Sequence, residues 1–234
     1  MNDLLAGFAA AGRLLVSLDP QLTEIVALSL RVSLTAVALA ALVGLPLGAA
    51  LALMRFPGRS TVVILLNALM GLPPVVVGLL VYLLLSRSGP LGPLGLLFTP
   101  SAMILAQWVL VTPIVAAITR QIAADTWAGY EELLRSLDAG PLAALLTVLW
   151  DARVSLLTAL LAGFGRAIAE VGAVIIVGGN IAHATRLMTT AIALETSKGD
   201  LALALGLGLV LILLSVAVNG AAFMLHLLTG RAHG

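Results

Sequence analysis

The chain has 234 residues, of which 61% are hydrophobic and only 10% charged, with a formal net charge of +1. A soluble domain carries about a quarter charged residues, so lipid is the solvent for most of this chain, and the near-neutral balance points to no nucleic acid or other acidic partner. There is no cysteine, which excludes disulfides, thiolate metal sites and cysteine nucleophiles.

The N-terminus opens Met1-Asn2-Asp3 and lacks the basic start of a cleavable signal. Residues 4–18 fall short of the ~20 apolar residues a span needs and include Arg13. Leu4, Leu5, Phe8, Leu15 and Val16 give a rough helical face. Residues 1–20 are therefore expected to form an interfacial helix ending near Asp19-Pro20, with an extra short span as the rival reading.

Five long apolar stretches follow, and they predict spans near 25–54, 61–86, 101–122, 153–178 and 201–229. In lipid these must be helices, because every backbone polar group needs an internal partner. No segment alternates with the period of two that a membrane strand requires. The expected fold is an all-α integral membrane protein with five transmembrane helices in a single domain, 1–234. Arg55, Arg59, Arg120, Arg135, Arg153 and Arg231 fall on one side of these spans. Arg13, Arg87, Arg186 and Lys198 fall on the other. The six-to-four bias places residues 125–149 in the cytoplasm, with the N-terminus outside and the C-terminus inside.

Prolines interrupt the spans: Pro46 within "GLPLG", Pro73 and Pro74 within "GLPPVVVG", and Pro113. Each frees backbone carbonyls and permits a kink. Ordinary helix packing and a pathway lined by bent helices account for them equally well.

The segment "GYEELLRSLDAGP", residues 129–141, is out of character with its surroundings. On a helix over 130–137, Tyr130, Leu133, Leu134 and Leu137 form one apolar stripe, and Glu131, Glu132, Arg135 and Asp138 cover the rest. Gly140 can end that helix and Pro141 suits the first turn of the next, whose stripe is Leu142, Leu145, Leu146 and Leu149. Such a helix either fits the groove of a partner protein or rests on the membrane surface as a connecting loop.

This segment resembles the cytoplasmic coupling loop of ABC-importer permeases, which reads E-A-A, three residues, G, nine residues, I-x-L-P. Glu132 matches the Glu, Leu133-Leu134 the Ala pair, and Val148 the Ile; Asp138 stands for Gly, Trp150 for Leu and Asp151 for Pro. "LPPVVVGLLVYLLLSRSGPLG" and "GRAIAEVGAVIIVGGN" resemble stretches of the molybdate, sulfate and tungstate permeases, and "TTAIALETSKGDLALALGLGL" looks most like the tungstate branch. The resemblance covers nearly the whole chain. It implies a homodimer of permease copies in a prokaryotic cell membrane. Two ATP-binding cassette subunits would dock on the coupling helices, and an extracytoplasmic protein would deliver the oxyanion. ATP would be used by the partner subunits, and no cofactor would be bound by this chain, which lacks a G-x-x-x-x-G-K-[ST] loop.

Arg166 and Glu170 stand four residues apart inside the fourth expected span. They share a helix face and can pair. Charges at that depth cost roughly 2.5–3.5 kcal/mol each on insertion scales and should face the bundle interior or a watery cavity. Either they are a neutralised structural pair, or Arg166 offers positive potential to a dianion while Glu170 fixes its position. Gly178, Gly179 and Asn180 end that span or turn the chain at its outer mouth. His183, His226 and His233 lie far apart, so no metal site is expected.

The function expected is that of the membrane subunit of an ATP-driven importer for a tetrahedral oxyanion, tungstate first, then molybdate and sulfate. The candidate pathway residues are Arg166, Glu170, Asn180, Pro73 and Pro74. A self-contained channel or secondary transporter would have no use for the insert. A membrane enzyme would need a nucleophile or metal constellation, and none is legible.

Overall fold

The computed structural model describes residues 12, 13, 16, 17 and 19–230. The interfacial helix expected over residues 1–20 lies largely outside them. The described residues are all-helical. In order they form α1 (Pro20–Leu53), α2 (Arg59–Met70), α3 (Pro74–Leu85), a 3₁₀ turn (Gly92–Leu94), α4 (Pro100–Ser136), α5 (Pro141–Asp151), α6 (Arg153–Ile168), α7 (Gly172–Gly178), α8 (Met188–Lys198) and α9 (Leu201–Gly230). Among them α1, α4 and the first part of α9, Leu201–Val218, are long and apolar enough to cross a membrane. The count reaches five if α2–α3 and α5–α6 each make one bent crossing. Leu42, Ile64, Leu80 and Ile212, among other large apolar side chains, are exposed, as befits a multi-pass membrane protein whose outer surface meets lipid.

Three expected boundaries change. The second span does not run unbroken over 61–86: Gly71-Leu72-Pro73 separates α2 from α3. Pro74 disfavours helical backbone in the residue before it, and Pro73 accordingly sits at φ −63°, ψ 123°, with Pro74 in the first turn of α3. The third span does not stop at 122, because α4 continues to Ser136. Residues 130–136 are therefore its last turns and not a separate short helix, and Leu137 lies in the turn that follows. Nothing between Ile122 and Ser136 breaks a helix: there is no proline, and Gly129 alone costs only about 1 kcal/mol. The fourth span, expected over 153–178, is interrupted at Ala169-Glu170-Val171.

The helix ends follow local chemistry. Asp19 caps α1, its carboxylate accepting from the Gln21 and Leu22 N–H groups at 2.9 and 3.1 Å. Arg59 donates to the Leu51 and Ala52 carbonyls at the other end, where a cation suits the helix dipole. The end of α4 corrects a further expectation. Gly140 is not the terminator; it is the extended residue before α5, with Pro141 in the first turn. The left-handed residue is Asp138, φ 51°. The Asp138 N–H reaches the Arg135 carbonyl at 3.1 Å and the Ala139 N–H the Leu134 carbonyl at 2.9 Å, the paired bonds of a Schellman turn. That conformation explains why glycine is the residue expected at this place of the motif.

Two compact units divide the chain. One takes the chain up to Ala36 with Pro73–Gln107 and Arg166–Ala217; the other takes Val37–Leu72, Trp108–Gly165 and the chain from Val218. In the first, α3 packs on α7 with no room to spare: a Cβ on Gly78 would lie 2.7 Å from the Ala173 Cα. In the second, "GLPLG" lays α1 against α4. A Cβ on Gly48 would meet the Thr119 Cβ at 2.7 Å and the Arg120 nitrogen at 2.9 Å, the close backbone approach that small residues four apart allow. Ala49, Ala123 and Val148 form a buried cluster there, with Trp127, Leu145 and Leu149 packed against it.

Candidate functional site

In the first unit, Arg166 lies in the last turn of α6. Glu170 lies outside any helix, in the break before α7, so the two do not share a helix face. The four-residue spacing still brings them together: Arg166 Nη1 donates to Glu170 Oε2. The other carboxylate oxygen, Oε1, accepts the Ala173 N–H at 3.0 Å, so one side chain both neutralises Arg166 and caps α7. The exposures are unequal. The Glu170 side chain is 3% exposed, whereas that of Arg166 is 33% exposed.

Neighbouring polar groups fix this node. The Gln107 side-chain amide donates to the Ala167 carbonyl at 3.0 Å. The Thr189 hydroxyl donates to the Glu170 carbonyl at 2.7 Å. One residue earlier, the Ser29 hydroxyl accepts the Met188 N–H at 2.8 Å. Interhelical bonds of this kind hold helices together where apolar contact gives no net gain over lipid. The start of α3 abuts the same break, since a Cβ on Gly172 would fall 2.9 Å from Val75 Cγ2. Val75, directly after the turn at Pro73 and Pro74, thus packs beside the break that holds Glu170.

Asn180 does not. It follows α7 with φ 51°, and its amide donates to the Thr190 carbonyl at 3.2 Å. Gly178 and Gly179 end α7 as expected, Gly179 at φ 71°.

Gln107, Thr189 and Ser29 were missed in the sequence reading, which searched for formal charge. The signal available was uncharged polarity inside apolar stretches. A second missed group is Glu195, buried on α8, which faces Lys198 at 3.1 Å and Arg186 at 3.6 Å.

In the second unit, the end of α4 and α5 present an apolar surface. Leu134, placed in the predicted stripe, is buried (9% exposed), whereas Leu133 and Leu137 are exposed, Leu137 by 67%. Tyr130 is half-buried and Glu132 exposed. Glu131 pairs with Arg135 at 2.6 Å and lies 3.8 Å from Arg55. On α5, Ala144 and Val148 are buried, while Leu142, Leu146 and Trp150 point outward. The expected stripe there divides: Leu145 and Leu149 pack inward and Leu142 and Leu146 do not. The Arg153 guanidinium lies 4.8 Å from the centre of the Trp150 ring, and α6 leaves α5 at a bend of 75°. Leu133, Leu137, Leu142, Leu146 and Trp150 are thus large apolar side chains left exposed on α4, on α5 and in the turn between them.

No family model matches the chain. A tungstate uptake system permease protein of Peptoclostridium acidaminophilum is 43% identical over 225 residues, 96% of this chain and 99% of that protein. A probable anion ABC transporter permease protein of Haloferax volcanii is 44% identical over 209 residues, 86% of this chain and 90% of that protein. A sulfate transport system permease protein of Synechococcus elongatus is 30% identical over 177 residues, 73% of this chain and 62% of that protein.

Proposed function

Because the chain belongs to the permease family of ABC anion transporters, we propose that it is the membrane subunit of a tungstate importer. The observation that carries the substrate is the 43% identity spanning 99% of a tungstate uptake permease. Molybdate and sulfate are the next candidates, sulfate because a sulfate permease is a more distant relative.

The permease works as a homodimer. Separate ATP-binding cassette subunits supply the energy, and an extracytoplasmic binding protein supplies the anion. The chain itself binds no cofactor and catalyses no reaction. Residues 125–149 are the coupling segment, on the cytoplasmic side, with the N-terminus outside and the C-terminus inside. Leu133, Leu137, Leu142, Leu146 and Trp150 meet the ATPase; Leu134, Tyr130 and the Schellman turn at Asp138 hold that surface in place. Arg166 and Glu170, with the turn at Pro73 and Pro74, line the anion's path. Exposed apolar side chains at the end of α4 and on α5 and a charged pair inside the helical bundle both support this division of labour.

The test is uptake into liposomes by the purified assembly with its binding protein. Tungstate should accumulate only with internal ATP, with molybdate competing. Accumulation without ATP, or none of any oxyanion, overturns the proposal. Orientation is tested separately. Single cysteines at Ser136 and Ser197, both exposed, are expected to react with an impermeant reagent from opposite sides of intact cells, Ser197 from outside. Labelling of Ser136 alone from outside would mean the reverse orientation.

A further inference from the structure

We propose that Glu170 is a built-in competitor of the transported anion: its carboxylate occupies the site on Arg166 through which an oxyanion passes, and the oxyanion must displace it. The inference rests on the reading of this chain as an oxyanion permease.

Four observations carry it. The pair is asymmetric, with Glu170 3% exposed and Arg166 33% exposed, so an arriving anion can reach the cation while the carboxylate stays covered. Among the described hydrogen bonds only Nη1 of Arg166 is engaged, and a guanidinium carries five N–H donors in a planar fork. The carboxylate has a second donor, the Ala173 N–H at 3.0 Å, and its backbone is held by Thr189 at 2.7 Å. When Arg166 turns to the oxyanion, the carboxylate therefore keeps the Ala173 N–H and a cation still close by, and does not drift away. Finally, the last turn of α6 that bears Arg166 is anchored independently by Gln107 on the Ala167 carbonyl.

The chemistry of exchange is direct. A carboxylate and an edge of a tetrahedral oxyanion both present two oxygens to the guanidinium fork. The dianion brings twice the charge and wins the cation when it arrives. Glu170 stays tethered beside it and reclaims Arg166 as the anion moves on. A transport pathway needs binding strong enough to admit the ion and weak enough to release it, and an internal rival supplies the second requirement without removing the first.

The experiment measures equilibrium binding of radiolabelled tungstate to the full-length permease, assembled with its ATPase in nanodiscs without the binding protein. Glu170→Gln keeps the shape and removes the competing charge. It is expected to bind tungstate about tenfold tighter than the unmodified protein, a coupling of ordinary size. Adding Arg166→Gln should abolish the gain. Glu170→Asp retains a carboxylate one methylene too short to hold both donors, and should bind several-fold tighter; it decides the matter if Glu170→Gln does not assemble. In the unmodified assembly, saturating tungstate should perturb a carboxylate band in the infrared difference spectrum. The proposal is overturned if neither variant binds tighter, or if no carboxylate responds to the anion. If that happens while ATP-driven tungstate uptake by the unmodified assembly is normal, displacement alone fails. Absence of any uptake by the unmodified assembly would instead remove the transport reading beneath it.

Discussion

Leu137→Asp is expected to release the ATPase from the permease while leaving the permease folded. Leu137 is 67% exposed at the tip of α4, so a carboxylate there meets water in the free chain and costs it little. In a groove that accepts apolar anchors, the same carboxylate would be stripped of water without a partner. Anchors of this type typically contribute 2 kcal/mol or more, so affinity should fall by about thirtyfold or more. Leu134→Asp provides the contrast. That side chain is only 9% exposed, so its loss should appear first as poor insertion and yield, whatever the ATPase does. Glu132→Ala, at an exposed position, should be gentler than either. The measurement is affinity of the purified ATPase for each variant in nanodiscs, beside a check of monodispersity. Unchanged affinity for Leu137→Asp would sink the docking assignment at the end of α4.

The charged pair gives the second large effect. Arg166→Ala strands Glu170, 3% exposed, with the Ala173 N–H as its remaining side-chain partner. Stranding one member of a buried pair costs about 3 kcal/mol or more, which should lower both thermal stability and assembled yield. Arg166→Lys keeps the charge and should recover much of the stability, though not the planar fork. The combined Arg166→Ala, Glu170→Ala variant removes both charges. Replacing both partners is often near neutral for folding, so it should assemble well and yet take up little tungstate. Full uptake by that double variant would reduce the pair to a strut.

Much of the architecture was legible because lipid leaves so few options. An uncharged run such as 201–229 has to be helical, and α9 occupies Leu201–Gly230. The break at Pro73-Pro74 carries its own label, since proline constrains its predecessor. The break at Ala169–Val171 carries none. No proline stands there, and what ends α6 is a set of tertiary bonds: Gln107 on the Ala167 carbonyl, Thr189 on the Glu170 carbonyl, and the Glu170 carboxylate on Ala173. Those partners lie 60, 19 and 3 residues away, and local pattern sees only the last. The stripe at 130–137 was read with the right period and the wrong boundary. Charge density suggested a separate helix, but charged residues do not break helices. The stripe also mixes two directions, since helical spacing groups Leu133, Leu134 and Leu137 without saying which of them the chain keeps for itself.

The turn at Asp138 has a consequence for how the two ends of α4 differ. A left-handed non-glycine residue carries a conformational cost of roughly 1–2 kcal/mol, smaller for aspartate, whose short side chain tolerates the region better. The same residue places an anion at the negative end of the helix dipole, where a cation would be favourable; Arg135, in the last turn, offsets part of this. The middle of α4 has no such debts: Val111, Val115, Ala116 and Ala123 are fully buried. Local opening takes least energy where buried contacts are few and the backbone is strained. The last turn of α4 is therefore expected to open before its stem does, and a protein that seats on Leu133 and Leu137 would do more than adhere: it would hold closed the turn it grips.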